Sequence, residues 1–258
     1  MIYIQKKDFI ILPAVYLILC LALYFSQRSL MYFPDVSPIY NKEVWIPIVE
    51  KNEVLALESQ DTNKKTIVLF HGNATNATSQ VFYRNFFPKD VHLIAVEYPG
   101  YGLNHKMEIS KDNLLSHARK VMKYAKAKYG DNIILTGESL GTGIASQMAK
   151  EFNINKLFLI TPYTTINEVA QDKFWFIPTF LLIKDDYDNM TTLKDYKGET
   201  MILISDKDQV VPAKYGKKLH DSLINKKQQI IVKNAQHSNW NIFITNPQLD
   251  QLRKFITT

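Results

Sequence analysis

The stretch Asn132-Ile133-Ile134-Leu135-Thr136-Gly137-Glu138-Ser139-Leu140-Gly141 decides the reading of this chain. Its first five residues form an apolar, strand-like run, and the residues after Gly141 read as a helix. Between them lies the spacing G-x-S-x-G. A serine on a sharp turn between a strand and a helix needs very small neighbours, because the two backbones pass almost in contact there. Only nine glycines occur in 258 residues, so two of them flanking a serine at this spacing are a specific signal. Ser139 is the candidate nucleophile.

A serine hydroxyl attacks poorly at neutral pH until a base takes its proton and a third group orients that base. Downstream, the apolar run 200–204 ends in Ser205-Asp206-Lys207-Asp208-Gln209-Val210-Val211-Pro212, where Pro212 suits the start of the next helix. Asp208 is the candidate acid; the competing reading is a solvated residue that merely opens that helix. A second strand-like run, 228–233, gives way to the polar loop Asn234-Ala235-Gln236-His237-Ser238-Asn239. His237 is the candidate base. Of the other histidines, His92, His117 and His220 fall inside strand-like or helix-like segments, and His105 precedes the serine.

An acyl-transfer site also needs donors aimed at the developing oxyanion, usually the amide after the nucleophile and one from the loop after the third strand. Leu140 supplies the first. The buried strand-like run Thr66-Ile67-Val68-Leu69-Phe70 leads into His71-Gly72-Asn73-Ala74, which offers Asn73 for the second, with Ala74 next. His71 reads as a brace for the loop.

The order Ser139, Asp208, His237, each just after a strand-like run, is that of α/β-hydrolases. From Tyr32-Phe33-Pro34 to the end, the chain resembles the membrane-anchored α/β-hydrolase-domain serine hydrolases, whose relatives include protein depalmitoylases and lipid or ester hydrolases. The resemblance runs through His71-Gly72-Asn73-Ala74, Glu97-Tyr98-Pro99-Gly100-Tyr101-Gly102, the Ser139 turn, Asp208 to Pro212, and His237. It departs from the family at Ser205, where glycine is usual, and at Pro99, where arginine is frequent. Neither position is a triad member. The resemblance implies ester, thioester or lipid hydrolysis.

The remaining sequence fits one α/β domain, 31–258, behind a membrane anchor, 1–30. A hairpin is expected from 44–49 and 54–57, then alternating strands and helices that build a mostly parallel sheet covered on both faces. The clearest helix is 111–129, with Ser110 as N-cap and Gly130 as stop. The segment 163–199, with its apolar patch 174–183, reads either as a small cap over the site or as helix packed on the core.

Phe9 to Phe25 lacks any charged residue, a length at the short end of what spans a bilayer. An anchor fits better than a cleaved signal peptide, since no small-x-small site precedes Gln27 and Arg28. Lys6 and Lys7 before it, against Arg28 after it, place the catalytic domain on the non-cytoplasmic side. The segment is expected to act as a tether that small soluble substrates do not need.

Lone Cys20 excludes an intramolecular disulfide, and the scattered lysines behind the net charge of +6 suit a membrane surface rather than nucleic acid. No metal or cofactor is expected. Three glycosylation patterns, at Asn73, Asn76 and Asn189, read as coincidence. The sequence thus points to a serine esterase or thioesterase acting on an acyl, possibly lipid-like, substrate. A peptidase of the same fold and a non-catalytic binding protein are the alternatives.

Overall fold

The computed structural model describes residues 8–37, 39–60 and 65–258; Lys6 and Lys7, on which the orientation argument rests, lie outside these. Eight strands form one sheet: β1 (Trp45–Glu50), β2 (Glu53–Ser59), β3 (Lys65–Phe70), β4 (Val91–Val96), β5 (Ile133–Glu138), β6 (Lys156–Ile160), β7 (Glu199–Ser205) and β8 (Lys227–Val232). Their spatial order is β1-β2-β4-β3-β5-β6-β7-β8. The expected hairpin β1/β2 is antiparallel, β2 joins β4 antiparallel, and every pairing from there to β8 is parallel. β4 is buried at every position, as a strand covered on both faces must be. β1 tolerates Pro47 because it lies at the sheet edge.

The helices among the described residues are α1 (Asp8–Met31), α2 (Lys111–Tyr129), α3 (Leu140–Glu151), α4 (Ile166–Lys173), α5 (Thr179–Leu182), α6 (Asn189–Leu193), α7 (Ala213–Ser222), α8 (Trp240–Phe243) and α9 (Asn246–Thr257). α2 has the expected bounds. Ser110 Oγ accepts the Asn113 amide at its start, and Gly130 ends it with a φ of +67°. α2 and α3 cover one face of the sheet through Val121, Met122, Ile144 and Met148. The other face is closed by the 3-10 helix Ala77–Asn85 and by α9 through Leu252 and Phe255. Helices thus cover both faces of the sheet, and its parallel strands bring the carboxyl ends of β5, β7 and β8 to one edge.

Residues between β6 and β7 form a small cap carrying α4, α5 and α6. Its two halves behave differently. Tyr187 and Leu193 pack into the core, but Trp175, Phe180 and Leu181 in the 174–182 segment are 80%, 67% and 68% exposed. Within that segment Ile177 and Thr179 are buried, so it rests on the domain by one side and exposes the other.

α1 is long and apolar enough to cross a membrane from Ile11 to Met31. It does not stand apart from the domain. Its less exposed residues are Cys20, Leu23, Tyr24, Gln27, Arg28 and Met31, which recur every three or four positions and so form one stripe. That stripe lies on the cap: Gln27 Nε2 donates to Leu182 O at 2.9 Å, Gln27 Oε1 accepts the Lys184 amide at 2.7 Å, and Arg28 Nε pairs with Asp185 at 3.2 Å.

Far from the site, β2 and α2 are joined through Glu58, which is 6% exposed. Burial raises its carboxyl, but hydrogen bonds from His92, Lys128, Tyr129 and Tyr124 outweigh burial and bring it from 4.5 down to about 2. Because the folded value is the lower one, this contribution is complete above pH 4.5 and disappears as pH falls towards 2. Urea unfolding at stepped pH is expected to lose about 3 kcal/mol through this group over that window. Glu58→Gln is expected to flatten that limb.

Candidate active site

β5 delivers Ser139 to the carboxyl edge of the sheet, and α3 starts one residue later. The turn is tight enough that Ser139 adopts φ +48° and ψ −115°, a conformation a non-glycine residue rarely holds. The flanking glycines follow from contact. A Cβ on Gly141 would sit 2.1 Å from the Phe70 carbonyl oxygen, and one on Gly137 would sit 2.6 Å from the Gly141 carbonyl oxygen. Any side chain at either position would push β3, β5 and α3 apart.

The loops after β7 and β8 bring Asp208 and His237 to the same point. His237 Nε2 lies 2.8 Å from Ser139 Oγ, and His237 Nδ1 lies 2.7 Å from Asp208 Oδ2. The acceptor-only carboxylate fixes the tautomer: Nδ1–H donates to Asp208, which leaves Nε2 free to accept the serine proton. The other oxygen of Asp208 accepts the amides of Val210 and Val211 at 2.9 and 2.8 Å, so the carboxylate cannot turn away. Asp206, the other acid of the loop, instead faces Lys233 at 3.9 Å.

The loop after β3 lies against the nucleophile, since a Cβ on Gly72 would be 3.6 Å from Ser139 Cβ. Leu140, as the first residue of α3, has an amide without an intrahelical acceptor. On the opposite side, the Ala74 amide is taken by Asn73 Oδ1 at 3.1 Å, which favours the backbone amide of Asn73 as the second donor. The Asn73 side chain also accepts from the Phe33 amide and from Tyr101 Oη, both at 2.8 Å, and donates to Met31 O at 2.6 Å. His71 is a brace: Nδ1 donates to Gly72 O at 2.7 Å, the ring lies 3.9 Å from that of Tyr98, and burial lowers its pKa to about 4.

Two features escape the sequence reading. Glu138, between the first glycine and the serine, is bonded by Tyr83 Oη at 2.8 Å and Trp240 Nε1 at 3.3 Å, and desolvation raises its carboxyl above the ordinary range. A carboxylate inside an otherwise apolar turn is the signal that marks it. The second is the wall of the cavity. Ser139 and His237 open into a space of about 850 Å³ that is bounded by cap residues such as Phe174 and Ile177 and also by Leu23, Gln27 and Met31 of α1. The last turns of α1 thus line this space, a part that the reading of the segment as a tether did not include. Asn76 and Asn189 are buried, which leaves no room for a glycan at either.

No family model matches the chain. It is 22% identical over 247 residues to an uncharacterized protein of Mycobacterium tuberculosis, with 90% of this chain and 88% of that protein covered. It is 26% identical over 186 residues to lysophosphatidylserine lipase ABHD12 of Xenopus tropicalis, a match covering 64% of this chain and 48% of that protein. Among solved structures, Pyrococcus furiosus esterase Pf2001 superposes with a TM-score of 0.66 at 15% identity, over 87% of this chain and 98% of the esterase. Sheet order, the serine turn at the end of β5 and these likenesses agree that the chain has the α/β-hydrolase fold.

Proposed function

We propose that this chain is a serine hydrolase that cleaves carboxylic esters or thioesters through an acyl-enzyme. The observation that carries this reading is the unbroken relay from Ser139 Oγ through His237 to Asp208, at 2.8 and 2.7 Å. His237 Nε2 takes the serine proton as Oγ bonds to the carbonyl carbon, and the amides of Leu140 and Asn73 receive the oxyanion. When the tetrahedral intermediate collapses, the imidazolium returns the proton to the leaving alcohol or thiol. Water then repeats the sequence on the acyl-Ser139 ester and releases a carboxylic acid. Asp208 holds the imidazole in its tautomer and offsets the transient positive charge.

The apolar cavity beside Ser139 favours an acyl chain, and the lipase activity in the name of the Xenopus relative points the same way. α1 anchors the domain to a membrane, with the catalytic domain on the non-cytoplasmic side. Arg28 is neutralised by Asp185 and Glu108, so the basic flank of the helix is the one at Lys6 and Lys7.

A fluorophosphonate probe is expected to label the folded protein at Ser139 and to leave Ser139→Ala unlabelled. A folded parent chain that stays unlabelled would favour a non-catalytic binding protein, and turnover of peptides in preference to esters would favour a peptidase. Asp208→Asn is expected to lower kcat about 10³ to 10⁴-fold, and Asp206→Asn only about threefold or less. The opposite ranking would move the acid to Asp206. Leu23→Trp, which fills the helix side of the cavity, is expected to shift the ratio of kcat/KM for long-chain over short-chain esters down by roughly tenfold. An unchanged ratio would place the acyl chain elsewhere.

A further inference from the structure

We infer that the 174–182 turn of the cap is embedded in the membrane leaflet beside α1, so that the cavity opens into lipid and takes its acyl substrate laterally from the bilayer. This rests on the reading of α1 as a membrane helix and of the cavity as the substrate site.

The turn has two faces. Phe174, Ile177 and Leu182 look into the cavity, whereas Trp175, Phe176, Phe180 and Leu181 do not line it and point outward. Four large apolar side chains are held out on one short turn that is bonded to α1, and α1 exposes its own Leu17, Ile18, Leu21 and Phe25; water favours neither set.

The carbonyls of the turn are fitted to such surroundings. In hydrocarbon, irregular backbone is tolerated only where the protein itself satisfies its polar groups. Successive carbonyls do find partners: Phe174 O accepts from the Ile177 amide, Trp175 O from Gln171 Nε2, Phe176 O from Tyr16 Oη, Ile177 O from the Thr179 amide, and Pro178 O from the Leu181 amide. Pro178 has no N–H to satisfy. Two of these partners are side chains reaching in from neighbouring helices, a role that solvent would fill on an ordinary surface loop.

Depth follows from the helix. From Asp8 to Arg28, which pairs with Asp185 and Glu108, α1 rises about 30 Å, the thickness of a bilayer's hydrocarbon. Tyr16 lies twelve residues before Arg28, about 18 Å along the axis, and its hydroxyl is bonded to Phe176 O at 2.6 Å. Any placement that buries α1 from Tyr16 to Arg28 therefore carries the turn into the hydrocarbon, to about its midplane. Of the charges flanking the turn, Asp172 is paired with Lys214 and bonded by Tyr215, Lys173 lines the cavity, and the Lys184 ammonium lies over the Tyr24 ring of α1 at 3.8 Å.

Tryptophan fluorescence tests this directly. Trp45 and Trp240 are buried in the domain, and Trp175 is the exposed one of the three tryptophans. The full chain is reconstituted in phosphatidylcholine vesicles with or without bromine on the acyl chains. Brominated lipid is expected to remove most of the emission that Trp175→Phe deletes and to leave the remaining emission little changed. Quenching of Trp175 by aqueous iodide and not by brominated lipid would overturn the inference. In a second measurement, the triple change Trp175→Ser, Phe180→Ser, Leu181→Ser is expected to raise KM for a long-chain ester carried in vesicles by roughly tenfold. With a short water-soluble ester, the same variant should match the parent. Equal losses on both substrates would overturn lateral entry. Failure of the parent chain to hydrolyse either ester would refute the hydrolase reading alone, because the fluorescence result does not depend on catalysis.

Discussion

The contact on which the molecule turns is that between α3 and the end of β3, where the Gly141 backbone presses against the Phe70 carbonyl. With no side chain between them, α3 can begin directly over the sheet edge, and Ser139 is forced into its left-handed conformation at the crest. Everything reactive is measured from that crest. The loops after β3, β7 and β8 converge on it because parallel strands bring all their carboxyl ends to one side of the sheet. A slightly larger residue would cost far more than its own volume, because two strands and a helix would have to move together.

Most of the fold was legible because its signals are local. Alternating apolar runs and helical periodicity depend on neighbours in sequence, and α2 with its Ser110 and Gly130 boundaries was readable to the residue. The nucleophile, acid and base were nominated by order and by position after strands, and the structure brings the three together. The choice between Asp206 and Asp208 rested on spacing to Pro212. In the fold, Asp208 is the one turned inward by two backbone amides, while Asp206 faces Lys233.

What could not be read depends on contacts between segments distant in sequence. An apolar helix at the N-terminus and an apolar patch near residue 180 give no sign that they touch, since the pairing of Gln27 with Leu182 and Lys184 has no local pattern. Glu138 was hidden for a similar reason. Its partners Tyr83 and Trp240 lie 55 residues before and 102 residues after it, and without them a charged residue beside Ser139 looks interchangeable. Those two hydrogen bonds hold the Glu138 carboxyl beside Ser139, where it forms part of the cavity wall.

The clasp made by Asn73 has a consequence for how this protein is assembled. Its side chain holds Met31 O and the Phe33 amide as the chain leaves α1, and its backbone lies in the loop that faces Ser139. The position of that loop is therefore set partly by where the helix ends. Here the exit of the helix is bonded to the loop that flanks Ser139, so a helix of different length or exit angle would move that loop as well. The apolar helix and the layered sheet are thus coupled parts of one structure.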